Sequence, residues 1–321
     1  MAHQRILSAA PIGRTPIDIL EQVAPVEISP SIDEDTLLGL LDNTIAIVAR
    51  GVEAKINARI IEAARDLRVI GRPGTGYDTV DIVAATRRKI PVVYAPVSGF
   101  AVSEGALALL LTLVKRIPFC DSVVKQGLWK KRYDFSTGDM AEHTLGIVGL
   151  GRIGAGLARL AQAFEMTIIG YDPVVTPEQA KAMGVTLVGL DELLQQSDYI
   201  SLHIPLNEQT TGLINRERIA QMKRGAILIN TARGGVIENL DVLAEALESE
   251  QLSAVGLDVF PTEPPDTSHR LFKDSRFVCA PHMLGVSEIG MERIYRSMAS
   301  DMVSVLQGTR PKFCVNPEVY Q

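Results

Sequence analysis

Proton transfer near neutral pH falls most readily to histidine, and the chain holds only five: His3, His143, His203, His269 and His282. His282 follows an apolar, strand-like run, Phe277–Cys279, through Ala280 and Pro281. A residue so placed stands at the carboxyl edge of a sheet. His203 ends another such run and is the rival candidate. His3 lies in the terminus, His143 at the amino end of a strand and His269 in a polar loop. Two further groups also follow strand-like runs. Arg233 sits in Asn230-Thr231-Ala232-Arg233-Gly234-Gly235, and its planar guanidinium suits two-point capture of a carboxylate. Glu263 sits in the proline-stiffened segment Pro261-Thr262-Glu263-Pro264-Pro265, after a run ending at Asp258. A carboxylate beside His282 would favour imidazolium and fix the ring's tautomer. Alone, each of these is an ordinary solvated group. Together they are what interconversion of a hydroxy acid and an oxo acid requires: a cation for the carboxylate, a proton shuttle at the hydroxyl, and a group that tunes the shuttle.

A second constellation supplies a cofactor. Gly149-Leu150-Gly151-Arg152-Ile153-Gly154 is a GxGxxG run, and its context makes it informative. The apolar segment Leu145–Val148 enters it, and an amphipathic stretch with Leu157, Leu160, Ala161 and Phe164 on one face leaves it. A further strand, Thr167–Tyr171, ends at Asp172, 23 residues after Gly149. In that order the first glycine permits a tight turn, the second admits a pyrophosphate and the third allows close helix packing. The helix N-terminus offers its unpaired N–H groups to the phosphates. Asp172 is expected to accept from the adenosine ribose hydroxyls and to repel a 2′-phosphate, which favours NAD over NADP.

These residues need strand ends to position them, and the chain supplies strands alternating with helices. In the first third the strand candidates are Ile6–Ala10, Val26–Ile28, Thr44–Ala49, Arg68–Ile70 and Pro91–Ala95. From Thr144 onward they are Thr144–Val148, Thr167–Tyr171, Tyr199–Leu202, Ala226–Ile229, Ala254–Asp258 and Phe277–Cys279. Helical spacing marks Asn57–Leu67, Val102–Arg116 and Glu288–Leu306. Such alternation predicts parallel sheets of βαβ units. At 321 residues, against ~150 for one domain, two domains are expected. A hydrophobic content of 46% excludes a disordered chain. A net charge of −6 argues against a nucleic-acid partner. The most apolar run, Gly105–Val114, is shorter than the ~20 residues a membrane helix needs. No secretory leader opens the chain, and Cys120, Cys279 and Cys314 form no close pair. A cytoplasmic protein without a metal site is the expectation.

Taken jointly, GxGxxG with Tyr171-Asp172-Pro173, His203-Ile204-Pro205-Leu206, Asn230-Thr231-Ala232-Arg233-Gly234 and Leu257-Asp258-Val259-Phe260 with Glu263-Pro264 resemble the D-isomer-specific 2-hydroxyacid dehydrogenases. That family includes phosphoglycerate, glycerate/hydroxypyruvate and D-lactate dehydrogenases and the NAD-type formate dehydrogenase. The likeness extends from Val69–Asp81 to His282. It implies that Arg233, Glu263 and His282 take the family's Arg/Glu/His catalytic roles. It implies too that Gly149, Gly151, Arg152, Ile153, Gly154, Asp172, His203, Ile204, Pro205 and Thr210 lie along the NAD, with Thr231, Ala232, Arg233, Asp258 and His282 towards its nicotinamide. His203 thereby becomes part of the cofactor wall. Thr75 and Gly76 resemble the carboxylate-binding loop of the substrate domain.

The resemblance further implies two Rossmann-like or flavodoxin-like parallel-sheet domains with a cleft between them. The NAD-binding domain, 98–287, would be inserted into a substrate domain made of 1–97 and 288–321. It implies a homodimer paired through the cofactor domain. The basic loop Leu128–Tyr133 with Trp129 then either reaches a partner subunit or is a solvated charge run around one packed indole. Arg50 and Arg72 are similar to cations that phosphoglycerate dehydrogenases use, and would suit a substrate with a second anion; two surface arginines account for them equally well. Departures from the pattern are Met283-Leu284-Gly285 after the histidine, where the family usually has Ile-Gly-Gly and Leu284 should narrow or reshape the site beside the cofactor, and the missing asparagine in Pro96–Ala101. With the chain ending at Gln321, no appended regulatory domain, and so no serine feedback through one, is expected. The reading is hydride transfer between NAD(H) and a D-2-hydroxy acid/2-oxo acid pair, such as 3-phosphoglycerate or hydroxypyruvate. The alternatives are an NADH-sensing corepressor-like binding protein and an NADP-linked glyoxylate/hydroxypyruvate reductase.

Overall fold

A computed structural model describes residues 4–51 and 54–321; His3 lies outside them. The chain divides into two compact units. One runs up to Ser98 and resumes at Ser287–Gln321, and the other is Gly99–Val286.

The first unit is built on five short parallel strands: β1 (Arg5–Ser8), β2 (Val26–Ile28), β3 (Thr44–Val48), β4 (Val69–Arg72) and β5 (Val92–Tyr94). Every residue of β3 is buried, as expected of a central parallel strand covered on both faces. Helices 34–39, 58–63 and 82–87 bring Leu37, Ile60, Ile61, Ala84 and Ala85 to one face. Helices 14–20 and 288–306 bring Leu20, Tyr295, Met298 and Met302 to the other. Side chains start these helices where the sequence offers them: Asp33, Asn57, Asp81 and Ser287 each accept from a backbone N–H of the first turn. The strand order β2-β1-β3-β4-β5 reverses direction between β1 and β3. Ligands of open parallel sheets bind at such a reversal, beyond the carboxyl ends of the strands. Arg50 lies just past β3, and Arg72 ends β4.

The second unit carries seven strands: β6 (Thr144–Val148), β7 (Thr167–Tyr171), β8 (Thr186–Leu187), β9 (Tyr199–Leu202), β10 (Ala226–Asn230), β11 (Leu252–Leu257) and β12 (Phe277–Cys279). All pair in parallel, in the order β12-β11-β10-β9-β6-β7-β8. The reversal falls between β6 and β9. Both faces of this sheet are covered by apolar layers, one under helix Gly99–Val114 and helix Arg152–Ala161, the other under helix Leu240–Glu248. The two helices of the first layer are tied where Ser103 Oγ donates to the Ile153 carbonyl at 2.8 Å.

Elements differ from the reading of the sequence, and two of the differences bear on the second unit. The two-residue β8 is too short for an alternation signal. The long Ala/Leu helix starts at Gly99 and stops at Val114, because Arg116 turns into the left-handed region at φ 50°; Lys115 and Arg116 therefore lie past its last turn. Among the described residues no helix is long and apolar enough to cross a membrane.

A Cβ at Gly154 would collide with the Gly149 carbonyl, a backbone atom that cannot yield cheaply. Gly154→Ala should therefore lower stability by about 1–3 kcal/mol, the scale of an overpacked core. The check is the thermal melting temperature, which should fall; an unaltered Tm would contradict the packing described.

Candidate active site

The second sheet places its chemistry beyond the carboxyl ends of adjacent strands. β6 runs into Gly149, which adopts φ 97° and donates its N–H to the Tyr171 carbonyl at 2.8 Å. A side chain there would be strained and would also strike the His203 carbonyl and Ile204, so the turn needs glycine. The next glycine differs. Gly151 has nothing within 4 Å of where a Cβ would stand, and it precedes helix Arg152–Ala161 with no side-chain cap. An open face against uncapped N–H donors is what an anionic pyrophosphate needs. Arg152 is exposed on the first turn, with Ile153 half-buried beside it.

Asp172 stands beside this loop. Its carboxylate accepts from the N–H of Leu150 at 2.9 Å and from those of Val174 and Val175 at 2.9 and 3.3 Å. These bonds stitch the end of β7 to the glycine turn and leave lone pairs for a further donor. Across the reversal, His203 pairs its Nε2 with Ser201 Oγ at 2.7 Å, while its Nδ1 is buried without a partner. Burial pushes the ring's pKa down, so it stays neutral. Thr231 Oγ1, past the end of β10, is likewise buried without a partner. Two orphaned polar atoms and an open glycine face on one sheet edge fit a dinucleotide. Pro205 is exposed, and Thr210 Oγ1 donates to its carbonyl at 2.6 Å, closing the loop after β9.

Past β10, β11 and β12 the three candidate catalytic side chains gather. His282 Nδ1 meets Glu263 Oε2 at 2.8 Å, and the other oxygen, Oε1, accepts from the Phe260 N–H at 3.0 Å. Burial alone would raise the Glu263 pKa, but the hydrogen bonds from His282 and Phe260 and the His282 and Arg233 charges outweigh it and hold it below the ordinary value. Arg233 is near enough for its charge to act on Glu263, and the next residue, Gly234, packs directly on the Phe260–Pro261 peptide, where any side chain would collide with backbone. Its Nη1 donates to the Ala232 carbonyl at 2.7 Å.

Two buried side chains that sequence reasoning gave no such role hold the loops. Asn230, fully buried, accepts from the Ala232 N–H at 3.0 Å and donates to the Arg233 carbonyl at 2.8 Å. An asparagine closing a strand two residues before a turn is the available signal for it. Asp258, expected at the nicotinamide end, is 3% exposed and takes the N–H groups of Met283 at 2.9 Å and Leu284 at 3.2 Å. Burial raises its pKa and the Glu263 charge adds to this; those N–H groups and the His282 charge oppose it. The clamp holds His282 at φ 56°, a conformation uncommon outside glycine. Leu284, expected to narrow or reshape the site, packs into the apolar layer beneath helix Gly99–Val114, against Gly105.

The remaining described histidines are otherwise engaged. His143 stacks on Tyr199 at 5.4 Å between ring centroids, and His269 accepts from the Leu271 N–H at 3.2 Å to cap a short helical turn. In the first unit Arg50 lies just past β3, Arg72 is the last residue of β4, and Thr75 and Gly76 follow it. Among the described residues, the N–H groups of Thr75 and Gly76 have no hydrogen-bond partner.

A parallel sheet in the Rossmann order, with a glycine turn at the reversal and a carboxylate–imidazole pair at the same edge, defines a dinucleotide-dependent α/β enzyme class. Residues 107–283 match the sequence profile of the D-isomer specific 2-hydroxyacid dehydrogenase, NAD binding domain. The chain is 36% identical over 314 residues to the D-3-phosphoglycerate dehydrogenase of Archaeoglobus fulgidus, covering 97% of this chain and 59% of that protein. It thus spans a little over half the length of that relative. It is 38% identical over 268 residues to the glyoxylate reductase of Korarchaeum cryptofilum, covering 82% of this chain and 80% of that protein. The crystal structure of a glyoxylate reductase from Paecilomyes thermophila superposes with a TM-score of 0.90 at 28% identity, covering 99% of this chain and all of that one. The chain belongs to the D-isomer specific 2-hydroxyacid dehydrogenase family.

A carboxylate whose folded pKa is depressed stabilises the fold above its ordinary pKa, and that contribution is lost as pH falls through the folded value. Glu263 should behave so. Between about pH 5 and about pH 3 the Tm of the wild type should fall more steeply than that of Glu263→Gln. Parallel curves would contradict the pairing.

Proposed function

We propose that this protein is an oxidoreductase that moves a hydride between NAD(H) and a D-2-hydroxy acid/2-oxo acid pair. The observation that carries the reading is the 2.8 Å hydrogen bond between His282 Nδ1 and Glu263, with the Arg233 loop packed on the same segment. The relatives named D-3-phosphoglycerate dehydrogenase and glyoxylate reductase support it.

The residues that would hold the dinucleotide are Gly149–Gly154, Asp172, His203–Pro205, Thr210, Thr231, Ala232 and Asp258. Bound there, its nicotinamide supplies the hydride acceptor or donor. Asp172 favours an unphosphorylated ribose, hence NAD. Glu263 occupies Nδ1 of His282, which leaves Nε2 for the substrate. In oxidation Nε2 of neutral His282 takes the hydroxyl proton; in reduction the imidazolium returns it to the oxo oxygen, and Glu263 stabilises that charged form. Arg233 binds the substrate carboxylate through its fork of N–H donors and polarises the oxo group. In the first unit, the Thr75 and Gly76 amides suit a substrate carboxylate, and Arg50 and Arg72 suit a substrate that carries another anion.

A homodimer paired through the second unit is part of this reading. Its support is the exposed apolar set Ile117, Val124, Trp129 and Tyr133 on one segment of that unit. Trp129 is 59% exposed with Arg132 lying 5.0 Å from its ring, so the indole is not the packed centre of a charge run. Three free cysteines, Cys120, Cys279 and Cys314, suit the reducing cytoplasm.

The test is NADH oxidation over hydroxypyruvate, 3-phosphohydroxypyruvate, glyoxylate, pyruvate and longer 2-oxo acids. Rapid turnover of at least one is expected, and His282→Ala should lower kcat by roughly 10²–10⁴-fold. NADH binding without turnover of any would instead indicate a sensor, and undiminished kcat in His282→Ala would overturn the assignment.

A further inference from the structure

From Ala280 to Ser287 the chain is neither strand nor helix, and the hydrogen bonds that hold this loop act on its backbone. The Ala280 N–H donates to the Leu257 carbonyl at 2.9 Å, Asp258 takes the N–H groups of Met283 and Leu284, and the Val286 N–H closes a turn on the Met283 carbonyl at 2.9 Å. A carboxylate on a rotatable side chain is a pivot, able to follow the amides it binds. It fixes how far the loop stands from β11 but not how the loop is turned about that point. The helix Gly99–Val114 supplies the missing constraint. A Cβ at Gly105 would stand 2.6 Å from both the Cβ and the carbonyl oxygen of Leu284, and a Cβ at Gly285 would stand 2.6 Å from Cγ2 of Val102.

Val102 and Gly105 are three residues apart and so share a face of that helix. On it the two contacts run in opposite senses. Leu284 rests on bare helix backbone at Gly105, and Val102 rests on bare loop backbone at Gly285. Interiors packed this closely leave no slack for a rotation that would drive the loop into the helix, and two contacts side by side fix an orientation where one would leave a swivel. The same helix is tied on a neighbouring face. Ser103 Oγ donates to the Ile153 carbonyl at 2.8 Å, and Gly156 comes so near that a side chain there would strike the Ser103 hydroxyl. Ile153 and Gly156 belong to helix Arg152–Ala161, which begins at the glycine turn. One helix thus holds both the turn that faces a dinucleotide's phosphates and the loop that carries His282.

We propose that Leu284 is a positioning residue for proton transfer: seated on Gly105, it fixes the His282 loop to the helix that also holds the glycine turn, and so sets the imidazole at a fixed place relative to that turn. The proposal rests on the 2-hydroxy acid reading given above and deepens it. Leu284 acts through His282, two residues away, and not by contact with the reactants. Because a misplacement of about 1 Å costs on the order of 10²-fold in rate, a seat so near the imidazole has leverage on turnover.

The experiment uses the full chain. Leu284→Ala empties the seat and adds no atom, Leu284→Met refills it with a side chain of similar volume, and Gly105→Ala closes it from the helix side. Alanine is the better helix former, so harm done by Gly105→Ala comes from the loop it displaces and not from a weakened helix. Each variant is read in three ways: NADH binding by calorimetry, the nitrogen-15 resonances of His282 in the free protein, and kcat with the best 2-oxo acid. Leu284→Ala and Gly105→Ala should bind NADH with the stoichiometry and affinity of the wild type, shift the His282 resonances, and lower kcat by about 10–10²-fold. Leu284→Met should restore both the resonances and most of kcat. A kcat that falls only in step with the number of NADH-binding sites, the His282 resonances staying put, is a general loss of folded protein and would overturn the proposal. So would wild-type resonances and turnover in Leu284→Ala. If Gly105→Ala does not fold, the two Leu284 variants decide alone. If the wild type turns over no 2-oxo acid, the dehydrogenase reading fails, while the resonances still decide whether Leu284 places His282.

Discussion

A buried carboxylate is tolerated only when hydrogen-bond donors replace the water it has lost, and the carboxyl edge of the second unit's sheet depends on that constraint. Asp258 is nearly inaccessible, and its donors are the N–H groups of Met283 and Leu284. To meet that need the chain after β12 must curl back, and the curl places His282 at φ 56°. Strain of this kind survives only where surrounding contacts over-determine it. Here the contacts are the Asp258 clamp on one side and the Glu263 bond to Nδ1 on the other. Glu263 is in turn anchored by the Phe260 N–H, and the Phe260–Pro261 peptide is the surface on which Gly234 rests. Three strand-end loops thus lock one another, and the His282 imidazole is held without any regular secondary structure of its own.

The glycine turn after β6 obeys the same logic with the opposite outcome. Gly149 and Gly154 are closed against backbone, so the turn cannot widen, while Gly151 faces open space. A rigid loop with one open face binds an anion by geometry fixed in advance rather than by ordering on contact. The two partnerless buried atoms, His203 Nδ1 and Thr231 Oγ1, cost stability where they stand, a cost that a bound dinucleotide could relieve.

Much of the architecture was legible because parallel βαβ units write themselves plainly. Tyr199–Leu202 and Phe277–Cys279 are short apolar runs that match β9 and β12, and Glu288–Leu306 coincides with the last helix, from its Ser287 cap to the residue before Gln307. Asn57–Leu67 was read too long because Ala64 leaves helical geometry, at ψ 82°, although its apolar spacing continues. At the site, residue types pointed to Arg233, Glu263 and His282, since chemistry restricts which side chains can do such work. The groups that position them were not legible. Asn230 acts within its own turn, whereas Asp258 acts on backbone atoms of the loop after β12. Such partners depend on which strand ends become neighbours, which no local pattern records. Leu284 illustrates the converse: its bulk was visible, its direction was not.

The central claim is that Glu263 keeps the proton of neutral His282 on Nδ1 and leaves Nε2 to exchange one with the substrate. Nitrogen-15 NMR of histidine-labelled protein, with His282 assigned by comparison with His282→Gln, reads that tautomer directly. The account predicts an Nδ1-protonated ring in its neutral form, with the preference weakened in Glu263→Gln. A neutral ring protonated on Nε2, or one indifferent to the Glu263 substitution, would contradict it.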